Sequence, residues 1–118
     1  MYVCKQMDTT DYLKGTLKTI ILGLLDEKGS MYGYEITQTV KLRTEHEINL
    51  TEGALYPALH RLEQQDWVSS SKKTTNGRTR KYYELTPKGK KEAVKAKKAW
   101  GLFTQLVFKV IHSNNYAQ

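Results

Sequence analysis

Cysteine is almost absent from this chain: Cys4 is its one thiol. A lone cysteine excludes a disulfide framework and a thiolate metal set. Histidine is scarce as well, and His46, lying between Glu45 and Glu47, has no second ligand group at useful spacing, so a solvated side chain is expected there. Long apolar runs are missing. The opening MYVCKQM has no apolar core of signal-peptide length. The longest apolar-leaning stretch, residues 101–111, is too short to span a bilayer and includes Thr104, Gln105 and Lys109. A soluble, cytoplasmic protein without a membrane partner is therefore expected. Catalytic constellations are lacking too: no paired carboxylates in a pocket-like context, no Ser-His or Cys-His arrangement, no phosphate loop. Cys4 near the chain start and His60 on a helix face are poor catalytic groups, so neither an enzyme nor a cofactor is expected.

Acidic residues run out part-way along. Residues 1–67 hold seven Lys/Arg against ten Asp/Glu, a net −3, whereas residues 68–118 hold twelve against two, a net +10. The total is +7 over 118 residues, a length suited to one domain. A half-chain with that excess fits a polyanion, nucleic acid before a membrane surface.

The residues present organise around TEGALYPALHRLEQQDW, 51–67. Leu55, Leu59 and Leu62 share one helical face, Thr51 is a candidate N-cap, and Glu52 suits the positive first turn. The opposite face carries Glu52, Gly53, Tyr56, His60, Gln64 and, to one side, Arg61: polar and aromatic, without a run of solubilising charge. Pro57 breaks the rule. Either the helix begins later than Thr51, or its first turn is irregular.

Upstream, Leu13, Leu17, Ile20, Ile21, Leu24 and Leu25 predict an amphipathic helix over 10–28, stopped by Gly29. Gly15 and Gly23 inside it point to close approach of another backbone. A second helix opens at Ser30 or Tyr32 and runs to Thr44, with Gly33 at its N-terminus where free amides can meet a phosphate; Tyr32 and Tyr34 either join that contact or flank the core. Ile48 and Leu50 alternate as in a very short strand.

Beyond Trp67 the period changes. Two strand-like runs, 68–73 and 80–85, flank 74–79, where Asn76-Gly77 is a hairpin turn signal. Lys72, Lys73, Arg78, Arg80 and Lys81 surround that turn, a finger suited to gripping a charged backbone. Thr86-Pro87 then starts a long helix to about His112. Ala93, Ala96, Trp100, Phe103, Val107 and Val110 are spaced 3, 4, 3, 4, 3, a seam expected to join two copies of the chain. Leu102, Leu106 and Ile111 form a second stripe, so one apolar face should pack on the first helix and the other on the second copy.

Three helices, a basic hairpin and a long helix follow the order of a winged helix-turn-helix with a dimerisation helix: mainly α with a small β-hairpin wing (α+β). The expected units are a flexible arm at 1–9, a DNA-binding domain at 10–86, a dimerisation helix at 87–112 and a frayed tail at 113–118. Within this order ILGLLDEKGSMYGYEI (21–36), LTEGALYPALHRLEQQDWV (50–68) and GRTRKYYELTPKGKK (77–91) resemble the PadR-like transcriptional regulators, relatives of the phenolic acid decarboxylase repressor. The short tail resembles the subgroup with a single C-terminal helix.

The resemblance implies a homodimeric repressor on double-stranded DNA, reading half-sites about 34 Å apart. Thr51, Glu52, Gly53, Tyr56, Pro57 and His60 would face the major groove; Tyr32, Gly33, Tyr34, Lys72, Lys73, Arg78, Arg80 and Lys81 would hold phosphates. It also implies a flat apolar pore at the dimer interface for a small aromatic effector. Trp100 matches the pore's tryptophan, with Lys18, Leu22, Ala96, Phe103 and Thr104 around it; Trp100 either lines that pore or only packs the seam. The competing reading is a winged-helix docking module for another protein, whose wing would be acidic or uncharged.

Overall fold

The computed structural model describes residues 9–112. Cys4, nearly all of the expected arm and the 113–118 tail lie outside them.

Helix α1 (Thr10–Lys28) turns Leu17, Ile21, Leu22, Leu24 and Leu25 into the core. Gly29 ends it at φ +88°, its N–H donating to the Leu25 carbonyl. Strand β1 (Ser30–Tyr32) follows, then α2 (Gly33–Arg43), where Glu35 accepts from the Tyr32 N–H at 3.3 Å to cap the first turn. The segment to Leu50 is a loop and not the short strand its alternation predicts. Glu45 and His46 both take positive φ there, and the Thr44 hydroxyl accepts from the Ile48 N–H.

Helix α3 (Glu52–Gln64) starts where Thr51 caps it, the threonine oxygen accepting from the Ala54 N–H at 3.2 Å. Pro57 therefore sits inside a helix that begins on time, a placement that ordinarily costs about 3 kcal/mol. Asp66 turns the chain at φ +62°. Strands β2 (Val68–Thr75) and β3 (Arg78–Leu85) form the hairpin, with Asn76 and Gly77 in the positive φ its two-residue turn demands. The antiparallel sheet has order β1-β3-β2.

Helix α4 (Pro87–His112) is anchored at its start. The Thr86 hydroxyl accepts from the Gly89 N–H and donates to the Asp66 carbonyl, the Thr86 N–H donates to the Trp67 carbonyl, and Lys88 Nζ reaches the Gln65 carbonyl. Gly89 packs so closely on Trp67 that a Cβ would land on its carbonyl oxygen. The close approaches expected at Gly15 and Gly23 do not occur: Gly15 meets nothing within 4 Å, and Gly23 faces only the aliphatic stem of Lys97 at 3.8 Å.

One core joins α1, β1, α2, α3, the sheet and the first half of α4. Ala93 and Ala96 are buried in it. This corrects the seam: those two alanines pack within the chain, because α4 crosses α1 there. The second half of α4 runs clear of the body, with Leu102, Phe103, Leu106, Val107, Phe108, Val110 and Ile111 exposed. No helix among the described residues is long and apolar enough to cross a membrane.

Candidate nucleic-acid interface

Burial of Leu55, Ala58, Leu59 and Leu62 fixes how α3 faces outward. At 3.6 residues per turn the line opposite those four is Gly53, Pro57, His60 and Gln64, all exposed, with no carboxylate, lysine or arginine among them. Thr51 and Glu52 lie exposed at the N-terminal end of this face. Gln64, on the polar face but left out of the groove-facing set, lies exposed on the same line.

Tyr56 flanks the line. Its ring lies against Gly33, where any Cβ would strike the phenol. Gly33 is therefore buried beneath Tyr56 and does not offer its amide at an open helix end; it makes room for the ring. Burial, with a smaller push from the Glu52 carboxylate, raises the Tyr56 phenol above its ordinary pKa. The group remains a hydrogen-bond donor at neutral pH.

Between α2, α3 and the wing opens a polar recess of about 370 Å³, bordered by Tyr32, Gly33, Tyr34, Tyr56, Arg78, Thr79, Arg80 and Lys81. Arg80 lies over the Tyr32 ring at 4.4 Å, Tyr32 meets Tyr82 edge-on at 5.3 Å, and Lys73 lies 4.9 Å over Tyr82. The tyrosines thus hold two wing cations in fixed positions through cation–π contact. Lys81 is tethered from the other side by Glu63 at 3.8 Å, and the same carboxylate accepts from the Ser70 hydroxyl. Glu63 is a link between α3 and the wing that sequence reasoning missed, since nothing in its spacing names its partner strand.

The register of the wing sets like charges against each other. Lys72 stands opposite Lys81, and Lys73 opposite Arg80. Directly opposed like charges destabilise a strand pair. Among the described residues, neither Lys72 nor Arg78 meets a carboxylate, and both are exposed. Such a hairpin is suited to a polyanion, whose phosphates relieve the repulsion.

A match to the family model described as the Transcriptional regulator PadR-like family spans residues 21–95, more than half of the chain. This protein belongs to the PadR-like transcriptional regulators. The fold agrees: a transcriptional regulator from Clostridium thermocellum superposes with a TM-score of 0.78 at 32% identity, over 89% of this chain and 99% of that one. A PadR-like regulator from Bacillus cereus gives 0.74 at 28% identity, over 86% and 97%. An uncharacterised protein of Lysinibacillus sphaericus is 33% identical across 86% of this chain and 93% of its own. The four helices and small three-stranded sheet are thus the winged-helix arrangement of PadR-like regulators, a family that regulates transcription and performs no catalysis.

Of the residues the resemblance placed around an effector, the PadR-like chain brings four together. Lys18, Ala96, Trp100 and Phe103 line an open groove of about 720 Å³ between α1 and the middle of α4. Leu22 does not line it: it is fully buried on the core side of α1. Thr104 does not line it either, and its hydroxyl donates to the Gly101 carbonyl. Lys18 also pairs with Glu92 at 2.6 Å and lies 4.2 Å over the Trp67 ring, so the groove wall touches the turn that follows α3. On the face of α4 opposite Ala93 and Ala96, Lys88, Lys91, Lys95 and Lys98 recur at three, four and three residues, all exposed.

Proposed function

We propose that this PadR-like regulator works as a cytoplasmic homodimer on double-stranded DNA, placing α3 in the major groove and the wing on the backbone, and that it represses transcription. The observation that carries the reading is the pair of opposed cation couples in the wing, Lys72–Lys81 and Lys73–Arg80, beside the exposed α3 line of Gly53, Pro57, His60 and Gln64, which holds no carboxylate, lysine or arginine. Thr51, Glu52, Gly53, Tyr56, Pro57 and His60 supply the groove contacts. Lys72, Lys73, Arg78, Arg80 and Lys81, with the hydroxyl of Tyr34, supply phosphate contacts that give affinity and register. Tyr32 acts through Arg80, which rests on it. A basic wing disfavours the protein-docking alternative.

Dimerisation is supported by the free half of α4. Phe103, Leu106, Val107 and Val110 expose apolar surface on a helix that leaves the body, a surface that association of two copies would bury. Trp100, 42% exposed at the edge of the groove, then comes near its copy. A planar aromatic effector inserted there would release the DNA. Lys18 and Glu92 cancel each other's charge in the groove, which favours a neutral effector.

Replacing Arg78 and Arg80 together by Ala is expected to weaken binding to all duplexes alike and to lower the slope of log affinity against log salt by about 2. Fluorescence anisotropy across a salt series measures it. An unchanged slope overturns the role of the wing.

A further inference from the structure

The proposed function uses the Pro57 side chain on the groove face and leaves its effect on the backbone unused. Pro57 occupies the sixth position of α3, beyond the first turn where a proline's missing N–H is harmless. The donor it lacks is the one that would bond the carbonyl four residues earlier, that of Gly53. Among the described residues no side chain donates to that carbonyl in its place. Gly53 is exposed, and a Cβ built on it would meet only the Thr51 hydroxyl at 3.9 Å, so there is open space on the side-chain side of this residue, while the Pro57 ring borders its carbonyl from the next turn. Gly53 and Pro57 head the line directly opposite the core, near the N-terminal end of the helix, the part that reaches base edges. The result is an acceptor without its α-helical donor on the most outward line of a helix whose side chains at these two positions are nearly silent: none at 53, no polar atom at 57.

We propose that the main-chain carbonyl of Gly53, freed by Pro57, is a base-reading acceptor that takes a hydrogen bond from one exocyclic amino group, adenine N6 or cytosine N4, in the major groove. The inference rests on the DNA-binding reading above. Both amino groups are donors on the groove floor, whereas guanine O6 and thymine O4 at the corresponding places are acceptors and would repel a carbonyl. Reversing the base pair moves the donor across the groove, so the contact distinguishes orientation as well as composition. Glycine lets the base edge approach, and the proline ring beside it presents an apolar surface to a neighbouring thymine methyl.

The test begins with selection of duplexes from a random library by the wild-type dimer. The enriched site is remade as a series in which one adenine is replaced by purine, or one cytosine by 2-pyrimidinone, each lacking a single amino group. Anisotropy then gives the affinity of each duplex for wild type and for Pro57→Ala, which restores the N–H and closes the Gly53 carbonyl. The expected result is one position at which amino removal weakens the wild type about tenfold, within the range of a single base contact, and leaves Pro57→Ala unaffected. Salt slopes stay equal in the two proteins. Loss of the same size in both proteins at every position overturns the proposal while leaving DNA recognition standing. A selection that enriches no sequence overturns the DNA reading itself, and this inference with it. Should Pro57→Ala bind no duplex, Gly53→Ala takes its place: its methyl narrows the approach without altering the helical hydrogen bonds. The sensitive position must then lose its effect, and persistence of that effect overturns the proposal.

Discussion

Gly89 and Gly101 lie on the same helix and have opposite surroundings. A methyl group at 89 would occupy the site of the Trp67 carbonyl oxygen, which is backbone and cannot rotate aside; at 101 it meets nothing within 4 Å. Gly89→Ala is expected to lower the stability by about 1–3 kcal/mol, the range for overpacking, by prising the start of α4 from the turn after α3. Gly101→Ala is expected to raise it by up to about 1 kcal/mol through helix propensity alone. Urea titration of the two variants reads both signs, and equal shifts would contradict the packing described. The contrast also marks a limit of sequence reasoning at this scale. Gly15 and Gly23 promised close backbone contact, and Gly33 and Gly89 make the tight approaches. Helical periodicity places a glycine on a face but does not name what crosses it. Tyr56 illustrates the same point, since its partner Gly33 lies 23 residues away in sequence.

Helix α4 carries two tasks on successive halves. Its first half is core, with Gly89, Ala93 and Ala96 buried; its second half is apolar surface. Phe103→Glu with Leu106→Glu is expected to yield a monomer by light scattering at micromolar concentration, with the thermal transition of the winged-helix body retained because both side chains are exposed in the single chain. A double variant that remains dimeric removes the terminal helix from the interface. Most elements were legible in advance. The bounds of α1, the N-cap at Thr51, the turn at Asn76-Gly77 and the restart at Thr86-Pro87 all follow from local chemistry, and the structure has them. Strand β1 was not legible, because three residues show no period and its partner strand is distant in sequence. The division of the seam was also hidden: the spacing of 3 and 4 continues unbroken through Ala96 and Trp100, while burial ends where α4 passes beyond α1.

At the scale of the whole molecule, charge is placed against the fold. Lys72 faces Lys81, Lys73 faces Arg80, and Lys88, Lys91, Lys95 and Lys98 follow one another along one helix face. Each neighbouring pair on that helix costs about 0.2–0.5 kcal/mol. Among the described residues the ion pairs Lys18–Glu92, Arg43–Glu27, Lys81–Glu63 and Lys97–Asp26 are all at least partly exposed, where solvent screening leaves little net stabilisation. For a chain of net charge +7, repulsion is expected to outweigh these screened pairs. The melting temperature of the free protein is therefore expected to rise as sodium chloride increases from about 50 to about 200 mM, over the same range in which DNA affinity falls. A melting temperature that falls instead would mean the ion pairs dominate.

The facing cations of the finger have one more result. With its tip unscreened, the hairpin carries a repulsion that favours parting its strands, and a sugar-phosphate rail would draw them shut. Amide protons along 72–81 are thus expected to exchange quickly in the free protein and slowly once a duplex is seated, so that the finger stiffens as it closes on its target.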